Sequence, residues 1–209
     1  MEPTCSDSRE TLELLERVRD GDRRALDTLL AQHRPAIRRL ASARLDPNLL
    51  PRLDESDVVQ ETQLELARRI DDFLRRNPMP FYLWVRKTTY ENLARVRRTH
   101  LQAGCRSVAR EVALPDRSSL LIARNLLAAD SPLREVAEKE LARFVREALG
   151  RMDEIDREVL QLRALDGLSN QEVAQVLDLH ADAVSKRFGR ALVRLRQCLD
   201  GGRRAGPPA

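Results

Sequence analysis

The stretch LSNQEVAQVLDLHADAVSKRFGRALVRLRQCL, Leu168 to Leu199, decides the fold. Ser169 followed three residues later by Glu172 is a capping box: hydroxyl and carboxylate each satisfy an amide that the first turn of a helix leaves free. Val173, Ala174 and Leu177 then share one face of a helix over 169–178, and Leu179 fills the turn. Val184, Phe188, Leu192 and Leu195 recur at helical spacing over 182–199. The other face of this second helix presents Asp182, Ser185, Lys186, Arg187, Arg190 and Arg194. Two helices joined by a tight turn, apolar within and basic without, form a helix-turn-helix. Its second helix fits the DNA major groove with its first residues against base edges. A plain amphipathic hairpin would explain the apolar stripe but not the one-sided arginines.

The pattern upstream is helical as well. Helices are expected over 133–150 (Leu133, Val136, Leu141, Phe144, Val145, Ala148) and 153–165. Periodicity weakens over 103–131, where Gly104, Pro115, Ser118, Ser119 and the Ser131–Pro132 pair mark a linker. Before it, Leu12, Leu15 and Val18 mark a first helix with Ser8 as cap. Leu26, Leu29, Leu30, His33, Ile37, Leu40 and Ala41 mark a second, which Pro35 should bend or divide. A third helix starts near Asp54, where acid meets the positive end of the helix dipole, and buries Val59, Thr62, Leu66, Ile70 and Phe73. RRNPMP (75–80) ends it, and a fourth helix covers about 81–101.

Composition agrees. Eight glycines in 209 residues are too few for a multi-stranded fold with tight glycine turns, and no long β-branched runs occur. The fold class is all-α: two small helical domains joined by a flexible linker, with boundaries at 1–102, 103–131 and 132–199 and a disordered tail over 200–209. Cys5, Cys105 and Cys198 show no CxxC spacing, which argues against disulfides and a zinc site, so no metal and no cofactor are expected. No apolar run reaches the ~20 residues of a membrane helix, and the polar N-terminus is unlike a signal peptide, so a cytoplasmic protein is expected. The isolated histidines His33, His100 and His180, with no phosphate loop or nucleophile elbow, point away from an enzyme.

Charge is segregated. Seven basic residues against Glu91 lie between Arg86 and Arg110, and five against Asp182 lie between Asp182 and Leu199, whereas 54–72 holds seven acids and two arginines. Lysine supplies only three of the 37 basic residues, and arginine is the better bidentate partner for phosphate and guanine. Two basic surfaces on separate domains suit one long polyanion touched twice. Phe73, Phe81, Tyr82, Trp84 and Tyr90 crowd just before and inside the first basic stretch. Unpaired bases stack on such rings. Phe73 and Phe81 fit better as core. Because residues 82 and 84 lie ~200° apart on a helix, at least one of Tyr82, Trp84 and Tyr90 is expected near the surface.

Three stretches together resemble bacterial RNA polymerase sigma factors of the extracytoplasmic-function (ECF) group. ALDTLLAQHRPAIRRLASARL with DESDVVQETQLELARRIDDF (25–45, 54–73) is similar to the second conserved sigma region, and FYLWVRKTTYENLARVRRTH (81–100) to its promoter-melting part. ALGRMDEIDREVLQLRALDGLSNQEVAQVL with VSKRFGRALVRLR (148–177, 184–196) is similar to the fourth region, which reads the −35 element. The resemblance implies that Asp54, Asp57, Gln60 and Glu61 lie on a polymerase-binding helix. It implies that the loop of Arg75, Arg76 and Asn77 meets an extruded −10 base, and that Tyr82, Trp84, Arg86, Lys87, Asn92, Arg95 and Arg98 follow the melted strand. Asp182, Ser185, Lys186, Arg187, Arg190 and Arg194 would face the −35 groove.

The partners so implied are core RNA polymerase (the clamp of its largest subunit and the flap of the second), promoter DNA and an anti-sigma or other regulatory protein. Asp178 stands where the family's turn usually has glycine, which takes the left-handed conformation more readily. His180 and Ala181 stand in place of a small hydroxyl cap, a role open to Asp182. Two other readings stay open on sequence alone: a helix-turn-helix regulator that never joins polymerase, and a helical interaction adaptor or anti-sigma-type sequestering protein.

Overall fold

The structure, a computed structural model, describes residues 7–44, 55–104, 145, 148–149 and 151–204. Among the described residues the regular structure is seven helices: α1 (Arg9–Arg19), α2 (Arg23–Arg44), α3 (Glu55–Arg76), α4 (Phe81–Gly104), α5 (Glu154–Ala164), α6 (Asn170–Leu177) and α7 (Ala181–Arg204). None is long and apolar enough to cross a membrane. The chain divides into two compact units, α1–α4 and α5–α7. The first two residues of the expected linker, 103–104, are the end of α4. Its remainder, and the expected helix over 133–150 apart from Val145, Ala148 and Leu149, lie outside the described residues.

In the first unit α1 begins where expected, with the Thr11 amide donating to Ser8 Oγ at 3.1 Å. Its buried face is Thr11, Leu14 and Leu15 with Val18 half-buried, and Leu12 points outward at 50% exposure. The stripe is thus centred on Leu14 rather than Leu12. Gly21 turns the chain with φ +91°, and Asp22 Oδ1 then accepts from the amides of Arg24 and Ala25 at 2.9 and 3.2 Å, opening α2. Of the two outcomes expected at Pro35, division does not occur: α2 continues through it. Pro35 and Ala31, whose carbonyl the proline leaves without an amide donor, are both exposed, so water can take the place of the missing bond.

Helix α3 buries Val58 together with the predicted Val59, Thr62, Leu66, Ile70 and Phe73. It stops at Asn77, whose φ of +40° is left-handed, and α4 starts after Pro80. The start of α4 is capped from far away: the amides of Phe81 and Tyr82 donate to the two carboxylate oxygens of Asp7 at 2.6 and 2.9 Å. Phe73, Phe81 and Trp84 form the centre of the core. Phe73 stacks on Trp84 at 4.5 Å, and Phe81 lies 5.5 Å from Phe73 and 5.6 Å from Trp84. His33 meets Phe81 edge-on at 5.0 Å, and burial pushes its imidazole below the usual histidine range. The Asp7 carboxylate opposes that shift and the Arg86 guanidinium adds to it.

In the second unit Val145, Ala148, Leu149, Met152 and Leu160 pack with Ala191 and Leu195 of α7. The capping box at Ser169 and Glu172 is complete in both directions, at 3.2 and 2.6 Å. Asp178 takes the left-handed conformation, φ 54° and ψ 45°, so the aspartate adopts the geometry that glycine would supply. Helix α7 begins at Ala181, with Asp182 in its first turn, and runs to Arg204. Gly201 to Arg204, expected in a disordered tail, are therefore helical, while 205–209 lie outside the described residues.

Candidate nucleic-acid interface

Helix α7 has a clear inside and outside. Val184, Ala191 and Leu195 are fully covered and Phe188 is half-buried, with the Arg163 guanidinium 5.1 Å over its ring. Leu192, expected in the apolar stripe, is exposed, because Ala191 keeps register with Val184 and Leu195 at helical spacing. Asp182, Ser185, Lys186, Gly189, Arg190, Val193 and Arg194 form the outer surface. Five of the six residues assigned there by sequence are exposed. The sixth, Arg187, is turned sideways: its side chain is 26% exposed and Nη1 donates to Asp156 Oδ1 at 2.6 Å, with Asp153 at 3.5 Å.

Asp156, in the first turn of α5, was not singled out by the sequence. Its side chain is 3% exposed, and Arg190 and Arg194 also lie 3.7 and 3.6 Å from its carboxylate. It sits 31 residues from Arg187, so no local pattern could have revealed the pairing. What sequence did offer was an acidic residue within an otherwise core-facing stretch: Asp156 to Leu162 are all buried.

The first unit corrects more of the reading. Trp84 is 5% exposed and sandwiched in the aromatic core, so its indole presents no face to a base. Tyr82 is also buried, with Arg86 5.3 Å over its ring. Over Phe81 to Val85, where α4 meets α2 and α3, every residue is buried, and of Tyr82, Trp84 and Tyr90 only Tyr90 is as little as half-buried. Asn92, placed along the melted strand, is 3% exposed. Its Nδ2 donates to Thr62 Oγ1 at 2.9 Å, and its Oδ1 accepts from Arg95 at 2.7 Å, so it ties α4 to α3.

The exposed candidates form a shorter set. Arg75 and Arg76 lie on the surface, each 3.1 Å from Asp72, and Asn77 beside them is exposed in its left-handed turn. Arg95 and Arg98 are exposed, and Arg86 and Lys87 are half-buried. On α3, Asp57, Gln60 and Glu61 are exposed on one side, with Glu61 paired to Arg95 at 2.8 Å. Leu64, one turn further along that side and 56% exposed, joins them, an apolar residue the charge pattern concealed. Asp54 lies outside the described residues.

The comparisons with known proteins converge. Residues 145–195 match the family model described as Sigma-70, region 4. The ECF RNA polymerase sigma-E factor of Haemophilus influenzae is 28% identical over 179 residues, covering 85% of this chain and 89% of the relative. That of Escherichia coli strain K12 is 28% identical, covering 85% and 88%. Among solved structures, CnrH in complex with the cytosolic domain of CnrY matches with a TM-score of 0.59 and 27% identity, over 92% of this chain and 99% of that one. The fold also matches sigma factor RpoE of Bartonella quintana, solved with the anti-sigma factor NepR, with a TM-score of 0.55 and 19% identity, over 83% and 96%. Helices alone among the described regular elements, a capped helix-turn-helix and likeness along most of the chain agree: the chain is similar to ECF RNA polymerase sigma factors.

Proposed function

We propose that the chain is a dissociable specificity subunit that joins core RNA polymerase, directs it to promoters and helps open them. The observation that carries this reading is the exposed cationic side of α7 behind a fully capped α6, within the segment similar to sigma region 4. In this reading the part over 132–199 reads the −35 element, with Lys186 and Arg190 foremost and Arg194 on phosphate. The part over 1–102 meets polymerase through Asp57, Gln60, Glu61 and Leu64. It meets the −10 strand through the loop at Arg75, Arg76 and Asn77 and the cations of α4, and 103–131 joins the two. Trp84, Tyr82 and Asn92 support that surface from beneath rather than touch DNA.

The work would take place in the cytoplasm with polymerase, and no bond-making chemistry is assigned to the chain. A regulatory protein partner of the anti-sigma kind belongs to the proposal, in line with CnrH having been solved in complex with part of CnrY. Opening DNA requires unstacking bases, and a protein that captures an unstacked base offsets part of that energy.

The test is transcription in vitro from a genomic-fragment library with core enzyme, with and without the full chain. New start sites that share upstream −10 and −35 sequences, and co-elution of the chain with core polymerase, are expected. Tight duplex binding without either result would favour a regulator that does not join polymerase.

A further inference from the structure

The cations of α7 are not equivalent. Arg187, Arg190 and Arg194 follow one another at spacings of three and four and so lie along one edge of the helix. Behind that edge sits one buried carboxylate, Asp156. A buried charge is costly unless paired, and Asp156 holds Arg187 firmly at 2.6 Å. Arg190 and Arg194, at 3.7 and 3.6 Å, are close enough to feel its field yet beyond hydrogen-bond distance, and their side chains are 60% and 50% exposed. The row is therefore split into one anchored guanidinium and two that are aligned but free to swing outward.

We propose that Asp156 is a positioning residue for −35 recognition. By anchoring Arg187 and aligning Arg190 and Arg194, it trades non-specific attraction to phosphate for sequence discrimination. The inference rests on the promoter-reading role proposed above. Phosphate contacts give affinity without sequence information, whereas base contacts need a guanidinium held in register with its acceptor atoms. A carboxylate behind the row removes one unit of attraction to DNA and restricts the directions in which the arginines point.

The experiment uses the full chain. A duplex library with ten randomised base pairs is selected against the wild type. The enriched duplex and its scrambled counterpart are then titrated by fluorescence anisotropy across a salt series. If the wild type enriches no sequence, the promoter-reading role itself fails. If it does, D156N, with wild-type helical content by circular dichroism, should lower the ratio of specific to scrambled affinity about tenfold. Scrambled-duplex affinity should hold or rise, and the slope of log affinity against log salt should steepen by about 0.9, since the released Arg187 reaches one more phosphate. An unchanged ratio overturns the proposal, and so does a parallel loss on both duplexes, which would make Asp156 a support of the fold only.

Should D156N lose helical content, R187M carries the test. With the anchor gone, the carboxylate draws Arg190 and Arg194 inward, so the ratio should fall and the salt slope become shallower. A wild-type ratio in R187M would likewise overturn the proposal.

Discussion

Helices α4 and α7 are the same length, 24 residues each, and both are rich in arginine, yet they use their sequence in opposite ways. α4 opens with five consecutive buried residues, Phe81 to Val85, of which Phe81, Trp84 and Val85 belong to the core of the first unit. α7 buries a narrow stripe, Val184, Ala191 and Leu195, and leaves Lys186, Arg190, Arg194 and Arg196 outside, with Arg187 turned sideways onto Asp156. Basic residues beside aromatics therefore mean different things in the two places. In α4 the rings hold the unit together and the cations lie at its margin, whereas in α7 the cations are the surface. Neighbours, more than composition, decide whether a ring is a platform for a base or a part of the core.

That contrast can be broken most forcefully at Trp84. Truncation to alanine should destabilise the α1–α4 unit by about 3–5 kcal/mol, as core tryptophans do, measured by denaturant unfolding of the full chain. A loss below about 1 kcal/mol would return the indole to the DNA-facing surface and erase the difference between the helices. Arg190→Ala tests the other side: binding to the enriched duplex should weaken by about 1–3 kcal/mol while the unfolding midpoint stays put. A loss of stability without a loss of binding would show α7 to be as structural as α4.

Asp7→Ala removes the distant cap of α4 and should cost about 1 kcal/mol of stability, with DNA binding through α7 unaffected. The smallest effect is the pH response of His33. Burial keeps its folded pKa below the ordinary 6.5. The unfolded chain then takes up the proton more readily, and stability present above that value should decline as pH falls through it. His33→Gln should flatten this dependence, which lies below histidine's ordinary value, in thermal melts between pH 5 and about 7.5.

Much of the fold was legible because it rests on local chemistry. The Ser8 cap, the Ser169–Glu172 box, the stripe of α3 and the breaks around Asn77–Pro80 and Asp178 are all written within a few residues of where they act. The misreadings have a common origin in pairings distant along the chain. Trp84 is buried by residues of α3, Asn92 is bonded to Thr62 thirty positions away, and Arg187 answers to Asp156 thirty-one away. A helical wheel describes one helix in isolation, so it shows which residues share a face but not how many neighbours cover it. Leu64, 56% exposed, is a different case: an apolar residue left uncovered among the acids of α3.

The Asp7 cap has a consequence for how the first unit comes into being. Its carboxylate and the Phe81 amide are 74 positions apart, so the residue that secures the start of α4 leaves the ribosome long before that helix exists. Until both have emerged, the first turn of α4 lacks its anion and the aromatic cluster lacks two of its three rings, Phe81 and Trp84. Such a closure ties the earliest segment of the unit to its last helix and favours all-or-none assembly over helix-by-helix accretion. A bulky insertion immediately before Asp7 would therefore burden a position on which the whole bundle closes.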